Sequence, residues 1–376
     1  MPELDRRDFL KLVGAGAGVA ATTGCEPVEK LVPYVIQPEV ITPGIAVDYA
    51  STCLECPAAC GLHVKTREGR PIKLEGNPDH PINQGKLCAR GQVGLGRTYH
   101  PDRYEGPLSR SSAGTFEKIS WEDGKAKLAS ALRAARGEAY IVGGRVGPSL
   151  DGVIEQFASV TGAKRLVYEA FDDQALLEGN KAAFGVASLP IFDVGKADLI
   201  VDLGSDFLAT GLSPTESARQ FADARDVTKN KNGGSRLISV GPRLNLTTTS
   251  SDRWITAKAG SEGAIALALA KAVHSKKGAP AGADADALTR FLAGGDATAA
   301  ARQAGIESAA IDEIADALLH AKSPVVIPPG TAHSTTSGAA TVAAVMVLNA
   351  LLGAVGTTVI VPPETSKAKT ASLPEI

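Results

Sequence analysis

The sequence predicts an α/β fold: a small β-rich N-terminal domain followed by a Rossmann-like, mostly parallel sheet with helices on both faces. Three observations carry that expectation. From about Ser120 onward, short apolar runs alternate with amphipathic stretches, the pattern of repeated βαβ units. Ahead of them, four of the five cysteines fall within 36 residues, beside a segment that alternates as a hairpin. Hydrophobic residues at 44% against 21% charged give a core to bury, without the charge excess of a disordered chain.

The 376 residues allow roughly two to three domains at ~150 residues each. With 39 basic and 41 acidic residues the net charge is −2, so no nucleic acid partner is expected. No apolar run reaches about 18 residues and aromatics stand at 5%, which argues against a polytopic membrane protein.

Four regions follow along the chain. Residues 1–25 read as an export signal: Asp5-Arg6-Arg7-Asp8-Phe9-Leu10-Lys11 is a twin-arginine pattern, ahead of a small apolar stretch too short to span a bilayer. Arg6 and Arg7 are therefore expected to send the folded protein to the periplasm or the outer face of the cytoplasmic membrane. Thr23-Gly24-Cys25 resembles a lipoprotein processing site, with Cys25 as the residue to be acylated, although Thr22 stands where the pattern has Leu. One acyl chain alone holds a membrane only marginally. Residues 26–48 form a lead whose prolines at Pro27, Pro33, Pro38 and Pro43 favour an extended path. Residues 49–106 hold the cysteine cluster, and 107–376 are expected to form the α/β domain.

Within that last region, Ser120 can cap a helix with Asp123 reaching back, and Leu128 and Leu132 mark its apolar stripe. A buried strand over 139–142, a turn over 143–148, a helix over about 150–161 and a strand over 165–168 complete one βαβ unit. Buried strands follow at 199–203, 237–240 and 325–327, while 256–259 is too short and mixed to assign. The helix over 308–320 places Ile311, Ile314, Ala315, Leu318 and Leu319 on one face. Residues 359–361 read as a last buried strand before a polar tail. Ligands on such a sheet lie at the carboxyl ends of the strands. None of the turns there, 143–148, Gly204-Ser205-Asp206, 241–243 or 328–330, is a GxGxxG fingerprint, so a nicotinamide cofactor is not expected. The six histidines show no metal-ligand spacing and read as structural or surface residues.

Cys53-x2-Cys56-x3-Cys60, then Cys88 after 27 residues, is the strongest chemical signal. Three thiolates in one loop can grip three corners of an iron–sulfur cube, and a fourth from a distant loop closes it. Pro57 stiffens the loop, and Gly61 is expected to permit an unusual backbone angle. Zinc is a weaker reading, because zinc sites show two paired Cys-x2-Cys knuckles. Two disulfides are the other alternative, answered by export after folding, which lets a cluster be installed first. The favoured reading is a [4Fe-4S] cluster on Cys53, Cys56, Cys60 and Cys88.

The hairpin over 64–78 ending in Glu75-Gly76-Asn77-Pro78 carries a family resemblance. So do Gly85-Lys86-Leu87-Cys88-Ala89-Arg90-Gly91, Tyr99-His100-Pro101-Asp102-Arg103 and Ile119-Ser120-Trp121-Glu122-Asp123. Together they resemble the iron–sulfur and first α/β domains of the molybdopterin oxidoreductase (DMSO reductase) superfamily. The resemblance implies that Arg90 lies between cluster and pterin and takes part in electron transfer. It implies too that Gly204, Ser205, Asp206, Gly260, Ser261 and Glu262 face the guanine nucleotide arms of a Mo-bis-MGD cofactor. Such a cofactor is less favoured than the cluster, because Glu169-Ala170-Phe171-Asp172-Asp173, about where the family's metal ligand falls, offers no Cys or Ser, only aspartates.

Val28-Glu29-Lys30-Leu31-Val32-Pro33-Tyr34-Val35, the run over 206–214 and the run over 349–356 are similar to the large iron–sulfur, molybdopterin-like subunit of alternative complex III. That complex is a bacterial membrane quinol oxidoreductase. The four intact cysteines depart from that subunit, and the chain is read as stopping where the family's second half would begin. The resemblance therefore implies an oxidoreductase subunit that passes electrons through one cluster inside a membrane respiratory complex. Its partners would be ferredoxin-like or cytochrome c subunits and a quinol-oxidising membrane subunit. The alternatives are the N-terminal half of a catalytic molybdenum enzyme, such as a polysulfide or thiosulfate reductase, and a non-catalytic assembly scaffold with a structural cluster.

Overall fold

The computed structural model describes residues 41–168, 173–230, 234–330 and 335–363. The expectations for Arg6, Arg7 and Cys25 lie outside the described residues, as do those for most of the proline lead and for 169–172. The described chain divides into two compact units: residues 41–47 with 66–70, and 48–65 with 71–363. In the first, Gly44 N–H donates to Glu68 Oε1 at 2.7 Å, and Thr66 Oγ1 donates to the Val47 carbonyl at 2.9 Å.

Strands β1 (Val47–Thr52), β2 (Gly61–Arg67) and β3 (Arg70–Gly76) form a three-stranded sheet in that order. Glu68 and Gly69 join β2 to β3 with φ of 45° and 77°, the two left-handed residues of a tight hairpin turn. After the short helix α1 (Ala89–Val93) and a turn of 3-10 helix over Gly94–Arg97, β4 (Leu108–Arg110) pairs with β5 (Phe116–Lys118). Ser120 then caps α2 (Trp121–Ala135) by accepting from Asp123 N–H at 3.0 Å, as the sequence predicts. Next come β6 (Tyr140–Gly143), α3 (Pro148–Thr161) and β7 (Lys164–Val167), with β6 and β7 parallel.

Here the sequence reading needs correction. Strand β6 forms but is not buried, since Tyr140 and Val142 are exposed, and no residue of α2 or α3 is buried. Leu128, expected in the apolar stripe, is 56% exposed. The physical reason is that β6 and β7 form a separate two-stranded sheet. Two strands and their flanking helices have too little surface to bury each other on all sides.

The main core comes later. Helix α4 (Gln174–Phe184), strands β8 (Ile191–Phe192) and β9 (Leu199–Asp202), and helix α5 (Pro214–Ala224) precede β10 (Arg236–Gly241), α6 (Leu246–Thr249) and β11 (Arg253–Thr256). Helices α7 (Glu262–Lys277), α8 (Ala285–Leu292), α9 (Ala297–Ala304) and α10 (Ser308–His320) lead to β12 (Pro324–Ile327), α11 (Gly338–Leu352) and β13 (Val359–Ile360). The order β11-β10-β9-β12 makes one parallel sheet, with Leu199 registered on both Arg236 and Pro324.

Strands β9, β10 and β12 are buried on both faces, which is why they read as continuous apolar runs. Leu199, Val201, Ile238, Val240 and Val326 point to one layer, packed with Ile265 and Leu269 of α7 and with Ile311, Ile314 and Leu318 of α10. Ile200, Leu237, Val325 and Ile327 point to the other, with Leu176 of α4, Phe221 of α5 and Val342 and Met346 of α11. The period-2 alternation of strand side chains sorts the two sets. The segment over 256–259, left unassigned from the sequence, holds only the last residue of a strand at Arg253–Thr256, and the strand expected over 359–361 pairs antiparallel with β8 outside the parallel sheet. No helix among the described residues is long and apolar enough to cross a membrane.

One ion pair ties the sheet to its cover. Arg225, just past α5, donates twice to Asp252, at 2.7 and 2.9 Å, and Asp252 Oδ2 also accepts from Leu237 N–H at 2.7 Å. The Arg225 guanidinium holds the Asp252 carboxyl below the usual range. Stability from that depressed pKa is present at neutral pH and disappears as pH falls through the folded-state value. The pair is about one-third exposed, so its worth is about 1 kcal/mol or less. The gap in urea midpoint between the wild type and Asp252→Asn should therefore close as pH falls from 7 to below about 3.9.

Candidate metal centre

The cysteines sit where strands end and begin. Cys53 follows β1 and Cys60 precedes β2. Cys53 N–H donates to the Cys60 carbonyl at 2.8 Å, which closes the loop between them. Inside it Ala59 N–H donates to the Cys56 carbonyl at 3.3 Å, and Ala59 takes the left-handed φ of 49° that reverses the chain. Cys53 and Cys60 are buried at 7% and 4% exposure while Leu54 points outward at 86%, so the loop turns its sulfurs inward and an apolar side chain outward. Cys88 caps α1 with extended backbone and makes no side-chain capping bond, which leaves its thiol uncommitted.

Gly61 has a different role from the one expected. It is not left-handed; a Cβ there would lie 2.6 Å from His80 Cβ and Cγ. Glycine is required for close approach, not for backbone angle.

A buried asparagine joins the two cysteine-bearing segments. Asn83, with no exposed surface, accepts from Gly61 N–H at 2.9 Å and donates to the Gly61 carbonyl at 2.9 Å and the Lys86 carbonyl at 2.7 Å. Gly76 permits the same junction, since a Cβ there would stand 2.5 Å from the Gly85 and Lys86 backbone. Leu62, Ala58, Val64, Leu74 and Leu87 pack around the buried thiols. Replacing Asn83 with alanine leaves Gly61 N–H and the Lys86 carbonyl without that partner, while the Gly61 carbonyl keeps Asn77 N–H. By the usual cost of outer-shell changes, Asn83→Ala should weaken metal retention by about 10–100-fold, measured as iron kept during chelator challenge.

The four thiols influence one another's charge. Burial pushes the Cys53 and Cys60 thiols up, and the neighbouring Cys56 and Cys88 sulfurs push them further. The Thr215 hydroxyl at the start of α5 is hydrogen-bonded to Cys60 and works the other way. All four are free thiols. Among the described residues no three His, Cys, Asp or Glu side chains close on a single ion. Three thiolates in one loop with a fourth on another segment is the donor set in which each thiolate can hold its own iron of a cube. Nearby, Glu55 in the cysteine loop is ion-paired with Arg97. Arg90, the second residue of α1, is exposed.

The two turns expected to meet a nucleotide stand at carboxyl ends of the parallel sheet, after β9 and after β11. Gly204 and Gly260 are left-handed, with φ of 84° and 83°. Their polar neighbours are already engaged. Ser205 hydrogen-bonds through its hydroxyl and its N–H to Asp202, which also accepts from Ser239 Oγ at 2.8 Å. Burial pushes the Asp202 carboxyl up. Asp206 Oδ1 accepts from Thr247 N–H and Oγ1, both at 3.2 Å, and Ser261 Oγ donates to the Lys258 carbonyl at 2.5 Å. Glu262 is buried at the start of α7. Asp173 is ion-paired with Arg145 at 2.7 Å. A cavity of about 290 Å³ lies at the amino ends of β9 and β12, lined by Lys196, Lys322, Thr357 and Thr358, away from both turns.

Known proteins match this arrangement. The molybdopterin oxidoreductase Fe4S4 domain model matches residues 48–100, and the molybdopterin oxidoreductase model matches 103–362. The chain is 29% identical over 366 residues to the molybdopterin-binding-like subunit of menaquinone reductase from Nitratidesulfovibrio vulgaris, covering 94% of this chain and 51% of that protein. It is 29% identical over 245 residues to a sulfite dehydrogenase subunit of Allochromatium vinosum, covering 60% and 24%. Acetylene hydratase from Pelobacter acetylenicus shares the fold, with a TM-score of 0.67 at 16% identity over 83% of this chain and 44% of that one. The chain thus spans about half the length of the first relative, and less of the second. With one model running through the four cysteines and the other through the parallel sheet, the chain belongs to the molybdopterin oxidoreductase family.

Proposed function

We propose that the protein is an exported electron-transfer subunit of a membrane respiratory complex, carrying one [4Fe-4S] cluster on Cys53, Cys56, Cys60 and Cys88. The observation that carries this reading is the gathering of four free thiols on two segments joined by Asn83, three in one loop and the fourth on the other. Such a cluster supplies one-electron transfer, taking an electron from a donor and giving it to an acceptor. The chain's own part is to bury two of the thiolates and set hydrogen bonds around the sulfurs, which fix the potential. Arg90, exposed beside Cys88, would face the next carrier. Arg6 and Arg7 would direct export, and Cys25 would carry an acyl anchor at the outer face of the cytoplasmic membrane. Ferredoxin-like or cytochrome c subunits and a quinol-oxidising membrane subunit are the expected partners. The relative named as a menaquinone reductase subunit supports a quinone-linked setting.

A second reading, a catalytic Mo-bis-MGD enzyme, draws on the family match over 103–362 and on the left-handed glycines Gly204 and Gly260. The described residues fit that group less well than they fit the cluster. Ser205 bonds Asp202 through its hydroxyl and N–H, Asp206 Oδ1 accepts from Thr247, and Asp173 is held by Arg145. Metal analysis of protein purified without oxygen separates the two readings. About four irons with matching sulfide and no molybdenum is the expected result. Molybdenum near one per chain favours the enzyme, and zinc alone removes both.

A further inference from the structure

We propose that His80 is a positioning residue for the cluster, donating a hydrogen bond from its imidazole Nδ1–H to a cluster sulfur and so raising the reduction potential. The inference rests on the cluster reading above and deepens it. His80 stood in the sequence as a residue without metal spacing; in the fold its ring lies over Gly61, the residue after Cys60. Its Cβ, Cγ and Cδ2 occupy the place where a Gly61 side chain would begin, at 2.6 to 2.7 Å. The absent side chain thus makes room for an imidazole against the residue that follows Cys60.

Nδ1 of that ring is buried and has no hydrogen-bond partner among the described residues. A buried polar atom left unpaired is costly, so a partner is expected. The neighbouring carbonyls are already doubly engaged. Gly61 O accepts from Asn77 N–H and Asn83 Nδ2, and Asn77 O accepts from His80 N–H and Gly85 N–H. His80 O accepts from Gln84 N–H at 3.0 Å. The acceptors that a cluster would bring to this corner are its sulfide and thiolate sulfurs, which are electron-rich and gain charge on reduction. A donor held against them favours the reduced state. Asn83 keeps Gly61 in place under the ring, so the donor is fixed by the same contacts that join the two ligand segments.

The test is an EPR-monitored redox titration of the full-length protein as wild type, His80→Phe and His80→Asn, each with its iron content. The expected result is iron near the wild-type level in all three and a more negative midpoint in His80→Phe. In His80→Asn, whose amide nitrogen can stand close to the position of Nδ1, the midpoint should return toward wild type. A second measurement needs no folded phenylalanine variant: wild-type protein labelled with 15N-histidine should show a nitrogen hyperfine coupling to the reduced cluster, absent from His80→Asn. An unchanged midpoint in His80→Phe, or no histidine coupling in the wild type, overturns the role of His80 while the cluster stands. Wild-type protein without iron overturns the cluster reading itself, and the inference with it.

Discussion

Cys60→Ala is expected to strip the protein of most of its iron and its visible colour. Cys60 is the most buried of the four thiols, at 4% exposure. It is also the residue whose carbonyl closes the loop against Cys53 N–H. Alanine keeps the backbone bond but leaves one iron corner without a protein ligand, facing an apolar wall of Leu62, Leu74 and Leu87. No carboxylate or imidazole among the described residues completes a site there. The loss should exceed the about 10–100-fold of an outer-shell change such as Asn83→Ala. The parallel sheet has its own two cores, neither of which contains a cysteine, so far-ultraviolet circular dichroism should stay close to wild type. Full iron retention in the variant would exclude Cys60 as a ligand.

The largest effect on stability is expected at Asn349. Its side chain, wholly buried on α11, pairs with the edge of β12 as a neighbouring strand would. Oδ1 accepts from Val326 N–H at 2.9 Å, and Nδ2 donates to the Val326 carbonyl at 2.8 Å and the Val345 carbonyl at 3.1 Å. Strand β12 is an edge of the parallel sheet, and edge groups under a helix have no water to bond. Asn349→Ala orphans both Val326 groups and opens a small cavity, at a cost of about 2–5 kcal/mol. In urea the midpoint should fall with the slope unchanged. A loss below about 1 kcal/mol would show that the edge finds other partners.

What the sequence made legible is what repeats at short range. The cysteine spacing, the cap at Ser120, the helix at Ser308–His320 and the buried strands β9, β10 and β12 all follow from local patterns. Strand β11 escaped because Arg253 and Trp254 at an edge break the apolar run. Burial of β6 and α2 was misjudged because periodicity says which face is apolar, not whether anything covers it. Asn83 and Asn349 were missed for another reason. Each bonds backbone 22 or 23 residues away, and a lone asparagine carries no local signal of that. Gly61 was assigned the wrong need, since its neighbour His80 is distant in sequence.

The central claim is a redox-active [4Fe-4S] cluster on four cysteines. The most direct measurement is low-temperature EPR of the anaerobically purified full-length protein, before and after chemical reduction. The expected result is a silent oxidised sample and, on reduction, one half-integer-spin signal integrating to about one spin per chain, lost in Cys60→Ala. A protein that holds iron yet gives no reducible signal, or that holds zinc in its place, would contradict the account.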